Sequence, residues 1–268
     1  MMMLSQKKIA IIGGGNMGGA IAKGLIASGN IAASNITVTR HKVELLSAFA
    51  DKGVNVTSDN NAAVANADIV IFAVKPWLMA DVVASVKANI KPKTLVVSVA
   101  SGVSLAQLSD MVGRTKSIVR VMPNTAAEVG ESVTAVCLQN TTPDEQQLVE
   151  DIFRPMGLTI VTDEAHMAAI TALASCGIAH ALRFIRAMME SGIEMGLTSR
   201  QSADIAAQTA KGAAELILKN QSHPEVEVDK VCTPGGVTIT GINALEHAGF
   251  SSAVIKGILA SYNKIIGK

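Results

Sequence analysis

The chain is poor in aromatic residues: one Trp, one Tyr and five Phe in 268 residues, 3% of the total. So few rings exclude a surface built to stack nucleic-acid bases and leave the core to Ala, Val, Ile, Leu and Met. It also lacks an excess of either charge, with 23 Lys and Arg against 22 Asp and Glu. No overall field draws it to nucleic acid or to an anionic membrane surface, and neither is expected as a partner. Cysteine is scarce. Cys137, Cys176 and Cys232 are odd in number and widely spaced, without a C-x-x-C pair, which argues against a disulfide framework and a metal site and fits a reducing cytoplasm. The first residues, Met1–Lys8, lack a long apolar stretch with a small-residue cleavage site, so no export signal is expected. The least polar run, Met167–Leu182, is interrupted by Ser175, Gly177 and His180 and falls short of the roughly 20 apolar residues that span a bilayer. It reads instead as a helix buried between subunits or domains. Repeats, low-complexity tracts and long charge runs are missing too.

What is present begins with glycine. Lys7 and Lys8 lead into the apolar run Ile9–Ile12, and Gly13, Gly15 and Gly18 follow at the G-x-G-x-x-G spacing of a Rossmann turn, with Asn16 and Met17 opening a helix. Gly13 permits the tight turn, Gly15 lets a pyrophosphate approach the backbone, and Gly18 lets helix and strand pack closely. The phosphates of a dinucleotide would sit on the helix N-terminus, where unpaired N–H groups and the helix dipole stabilise negative charge.

Short β-rich runs then alternate with helical patterns: Ile36–Thr39, Val54–Val56, Ile69–Val74, Leu95–Val99 and Ile118–Val121. The rhythm predicts βαβ units around a parallel sheet covered on both faces. Ser132–Leu138 and Leu158–Val161 are further strands, flanking a helix opened by Thr142-Pro143-Asp144-Glu145. Beyond Asp163 the strand signals stop, and helices are expected at about 164–195, 199–220, 224–232, 238–247 and 251–266. The fold class is therefore α/β: an N-terminal Rossmann dinucleotide-binding domain over 1–162, then an all-α domain over 163–268. So many apolar residues in one helical layer need a partner surface, and a homodimer through this half is expected.

The end of the second strand chooses between cofactors. An acid there would bind a ribose 2′-hydroxyl, but the stretch reads Val38-Thr39-Arg40-His41-Lys42. Thr39 and the basic side chains suit the 2′-phosphate of NADP, with NAD as the lesser possibility. The fourth strand ends in Ala73-Val74-Lys75-Pro76, where proline turns the chain outward at the carboxyl edge of the sheet. A lysine there is an acid, a phosphate contact or a surface charge, and surface charge is the commonest. The loops Val99–Gly102 and Val121–Thr125 reach the same edge. In the helical half, Thr233-Pro234-Gly235-Gly236-Val237-Thr238 joins two helices. Two glycines free consecutive N–H groups to face an anion such as a carboxylate, although a glycine stop followed by threonine capping would leave the same pattern.

Together, Gly13–Gly18, Ala73–Pro76, Arg120–Thr125 and Lys230–Glu246 resemble the pyrroline-5-carboxylate reductase family, and the Thr-Pro-Gly-Gly turn is the specific part. The resemblance implies reduction of the cyclic imine 1-pyrroline-5-carboxylate to L-proline by NAD(P)H, in dimers that family members often assemble into rings. It implies that Thr233, Gly235, Gly236 and Val237 hold the substrate carboxylate and that Thr238 hydrogen-bonds the ring nitrogen as the catalytic residue. Arg40 and Asn60 would lie by the adenosine ribose, and Ala73, Val74, Lys75, Pro76 and Asn124 by the nicotinamide half. The stretch Leu173–His180 departs from the family pattern Leu-Ser-Gly-Ser-Gly-Pro-Ala-Tyr, with His180 in place of the tyrosine; it reads as a satisfied helix histidine. Two other readings compete: a β-hydroxyacid dehydrogenase, which would need Lys211 for proton transfer, and an NADP-binding protein that has lost turnover.

Overall fold

A computed structural model describes residues 3–114 and 116–268. Two compact units divide the chain between Ser175 and Cys176; the sequence places the division at 162/163, where strand signals end.

The first unit is built on eight strands: β1 (Ile9–Ile12), β2 (Ile36–Thr39), β3 (Asn55–Thr57), β4 (Ile69–Phe72), β5 (Leu95–Ser98), β6 (Ile118–Met122), β7 (Ser132–Gln139) and β8 (Gly157–Val161). They form one sheet in the order β3-β2-β1-β4-β5-β6-β7-β8. Between the strands lie α1 (Asn16–Ser28), α2 (Ser47–Ala50), α3 (Asn60–Ala65), α4 (Met79–Val86), α5 (Leu105–Val112) and α6 (Pro143–Phe153). The apolar runs resolve into two faces. Ile9, Ile11, Ile36, Val38, Ile69 and Ile71 pack with Ile21 and Leu25 of α1 and with Ile152 and Phe153 of α6. Ala10, Ile12, Val70 and Phe72 pack on the other face with Val64, Val83 and Leu108. Burial on both sides is what makes these strands uniformly apolar in sequence.

The strands read as a parallel set, β1 to β6, are parallel, and the sheet departs from that pairing at one joint, where the first of the two further strands enters. β6 and β7 are antiparallel, and β8 then runs parallel to β7. The connection over residues 123–131 holds only a 3₁₀ turn, Thr125–Val129, too short to carry a strand back across the sheet as a parallel crossover requires. Strand β4 also ends at Phe72 rather than Val74, so Ala73–Lys75 lead out of the sheet as a loop that bends at Val74.

After β8, a continuous helix runs over Glu164–Glu194. It includes α7 (Met167–Ile170), a π-helical turn (Thr171–Cys176) and α8 (Gly177–Glu194). At 31 residues, with a most apolar 18-residue window of mean hydropathy 1.5, it is long and apolar enough by length and composition to cross a membrane. This corrects the estimate from the apolar run alone, because the helix extends well past that run. Nor is it buried within the chain: 6% of the window is enclosed. The second unit continues with α9 (Ser199–Asn220), α10 (Pro224–Val231), α11 (Val237–His247) and α12 (Phe250–Ile265). α8 and α9 touch closely where Gly192 meets Ser202, but α10, α11 and α12 contain no buried residue. An apolar groove of about 720 Å³ lies between Phe184, Met188, Leu245, Phe250 and Val254.

Candidate active site

Strand order reverses at β1, with β2 on one side and β4 on the other, and open α/β sheets bind ligands in the crevice such a reversal leaves at the carboxyl ends. The glycine turn fills this place. Gly13 has φ +106, and a Cβ there would lie 2.7 Å from the Ala73 carbonyl oxygen. A Cβ on Gly18 would strike the carbonyl oxygen of Gly13, so this glycine fixes how closely α1 meets the turn. Gly15 differs: nothing lies within 4 Å of its missing Cβ, and as the residue capping α1 it supplies no side-chain hydrogen bond. The first N–H groups of α1 are thus left facing an open cradle, which fits a diphosphate.

A cleft of about 520 Å³ opens there, lined by Gly15, Asn16, Met17, Arg40, Ala73, Val74, Lys75 and Pro76, with Leu78 and Val99–Ser101 completing the wall. A second of about 390 Å³ shares Gly15, Asn16 and Arg40 and continues over Lys23, Leu45 and Phe49. Arg40 Nη1 donates to the Gly14 carbonyl at 3.0 Å, which holds the guanidinium where the clefts join and leaves its other N–H groups for an anion.

Three expected residues are placed differently. Thr39 is buried, and its hydroxyl accepts the Gly13 N–H at 3.3 Å; it braces the turn rather than facing a phosphate. Asn124 is also buried. Its Oδ1 accepts from the Ala126 N–H and its Nδ2 donates to the Ala174 carbonyl at 3.2 Å, so its amide ties the β6–β7 connection to the π-helical turn. Asn60 opens α3 beside β3 and lines neither cleft. Sequence reading missed Gly14, whose Cβ would strike Val38 and Leu46, and the wall residues Lys23, Leu45, Phe49 and Leu78. Asn16, Gly19, Ala20 and Lys23 do share one face of α1 by their three- and four-residue spacing, a signal present in the sequence.

In the second unit, Gly236 N–H donates to the Thr233 carbonyl at 2.9 Å across Pro234 and Gly235. With Gly235 at φ +70, this is the pattern of a type II turn. It delivers Gly236 as the cap of α11 without a side-chain hydrogen bond, leaving the N–H groups of Val237 and Thr238 at an uncapped helix end. Val237 is 90% exposed. Thr238 stands at the second helical position, half-buried. His180 is not the satisfied histidine expected, for its Nδ1 is buried without a hydrogen-bond partner among the described residues, as is the Ser175 hydroxyl. Lys211 is exposed on α9. The three cysteines are free, and burial pushes the Cys137 thiol up to about 11, so it is an inert core group. Among the described residues no three His, Cys, Asp or Glu side chains gather to hold a metal.

The reversed sheet and its uncapped glycine cradle define a Rossmann-type dinucleotide-binding protein, here extended by a helical unit. Residues 8–102 match the family model of coenzyme F420-dependent NADP oxidoreductases, and residues 164–267 match that of pyrroline-5-carboxylate reductase dimerisation. The chain is 39% identical to pyrroline-5-carboxylate reductase 1 of Dictyostelium discoideum over 98% of its own length, and spans 50% of that relative. A solved pyrroline-5-carboxylate reductase from Coxiella burnetii superposes with a TM-score of 0.92 at 33% identity, covering 97% of this chain and 98% of that one. Another, from Plasmodium falciparum with NADP bound, gives 0.86 at 30% identity, covering 97% of each. The chain belongs to the pyrroline-5-carboxylate reductase family.

Proposed function

We propose that the chain reduces 1-pyrroline-5-carboxylate to L-proline, the last step of proline synthesis, with NADPH preferred over NADH. The observation that carries this reading is the uncapped N-terminus of α11, presented by the Thr233–Gly236 turn with Thr238 one step inside. The N–H groups of this turn bind the substrate carboxylate without a basic side chain. The Thr238 hydroxyl accepts from the protonated ring nitrogen and orients the ring. A protonated imine is already electrophilic, so alignment and exclusion of water suffice, with no metal or covalent nucleophile. When bound, the nicotinamide supplies the hydride that adds to the imine carbon. Gly13, Gly15, Asn16, Met17 and Gly18 seat the diphosphate, Arg40 answers a 2′-phosphate, and Ala73–Pro76 border the nicotinamide half, while Thr39 braces the glycine turn and Asn124 the β6–β7 connection from behind.

On this reading residues 1–162 bind the dinucleotide, and residues 163–268 bind substrate and pair with a second copy, which covers the apolar face of Glu164–Glu194 in place of lipid. Support comes from the match of 164–267 to the dimerisation family and from a helical unit so sparsely buried by itself. Sedimentation distinguishes pairs from rings of pairs. The free cysteines fit a reducing cytoplasm, and no nucleic-acid partner is proposed.

The test is NADPH consumption with pyrroline-5-carboxylate, run beside β-hydroxyacids and beside NADH. Turnover of the imine alone, with a lower KM for NADPH, is the expected result. Oxidation of hydroxyacids, or binding of NADPH with no turnover, would overturn the assignment. Thr238→Ala should fold normally and lose about a hundredfold in kcat.

A further inference from the structure

The sole tryptophan of the chain, Trp77, is 74% exposed and belongs to neither core cluster. An indole gains little for the fold when left in water, so its place calls for another reason. It sits in the 3₁₀ turn Pro76–Leu78, whose first bond runs from the Leu78 N–H to the Lys75 carbonyl at 2.9 Å. That turn folds the ring back under its neighbour: the Lys75 ammonium lies 5.9 Å from the Trp77 ring centroid, the one cation–π pair among the described residues. Lys75 and Leu78 both line the cleft that begins at Gly15, whereas Trp77 stands outside it.

We propose that Trp77 is a positioning residue, holding the Lys75 ammonium at the cleft mouth where it meets the anionic diphosphate-ribose part of the dinucleotide. A free lysine side chain carries much rotamer entropy. Resting its charge on an indole face orders it before the ligand arrives, and the ligand then loses less freedom on binding. The inference rests on the dinucleotide reading of this cleft.

The experiment is calorimetric titration of NADPH into the full chain, the Trp77→Leu, Trp77→Tyr and Lys75→Met variants, and the Trp77→Leu/Lys75→Met pair. Trp77→Leu should raise Kd about two- to fivefold, the range of an exposed cation–π contact, and Trp77→Tyr should restore most of it. In the Lys75→Met background the change at 77 should have no further effect, because a positioning residue acts only through its partner. In the free protein the Lys75 ε-methylene protons should be shifted upfield by the ring current and return to ordinary values in Trp77→Leu. An unchanged or tighter Kd in Trp77→Leu, or an equal loss in both backgrounds, overturns the inference and leaves the dinucleotide reading standing. Failure of the unaltered chain to bind NADPH overturns that reading itself.

Discussion

Two glycines of one turn make opposite demands. Gly18→Ala would press a methyl group against the Gly13 carbonyl, and backbone cannot rotate out of the way, so urea unfolding should show a loss of about 1–3 kcal/mol. Gly15→Ala meets nothing in the protein, and its stability should stay within about 0.5 kcal/mol of the parent. Its methyl group would still occupy the phosphate cradle and disturb hydrogen bonds to a charged group. Calorimetry should show NADPH affinity down about tenfold or more. The spacing of the fingerprint was readable because each glycine answers a steric rule. The direction of Thr39 was not, since a strand buried on both faces gives no polar-apolar alternation to tell inward from outward. Asn124 was hidden for a related reason. Its amide serves Ala126 and the distant Ala174 carbonyl, a pairing no local pattern announces.

Among the elements, α6 was the most legible. Thr142 accepts the Glu145 N–H while Glu145 accepts the Thr142 N–H, a reciprocal cap written as Thr-Pro-Asp-Glu in the sequence. Thr142→Ala should cost about 1 kcal/mol in chemical denaturation. Imine reduction should be unaffected, since α6 lines neither cleft of the glycine turn. The reversal at β7 was less legible: a run such as Ser132–Leu138 shows that it is a strand but not its direction, which the length of the connection decides. The π-helical turn at Thr171–Cys176 was not legible at all, because its apolar spacing is that of an ordinary helix over so short a span.

At the scale of the whole molecule, the sequence showed where strands give way to helices and that the helical half is rich in apolar residues for a single layer. It could not show how bare that layer is. Phe184 and Phe250, ring centroids 6.0 Å apart, border the apolar groove, and Phe184 is 43% exposed. If a second copy fills the groove, Phe184→Asp should shift the sedimentation coefficient toward that of the single chain with helical circular dichroism retained, and Phe184→Leu should not. An unshifted Phe184→Asp would place the pairing surface elsewhere.

The bare helix Glu164–Glu194 bears on inheritance under that reading. Two versions of the polypeptide made in one cell would join at random, so faulty copies would be shared out among sound ones. An allele damaged only in its glycine turn, with the helices intact, would then persist in mixed pairs beside sound copies, whereas one that never folds would leave the sound copies to pair with each other.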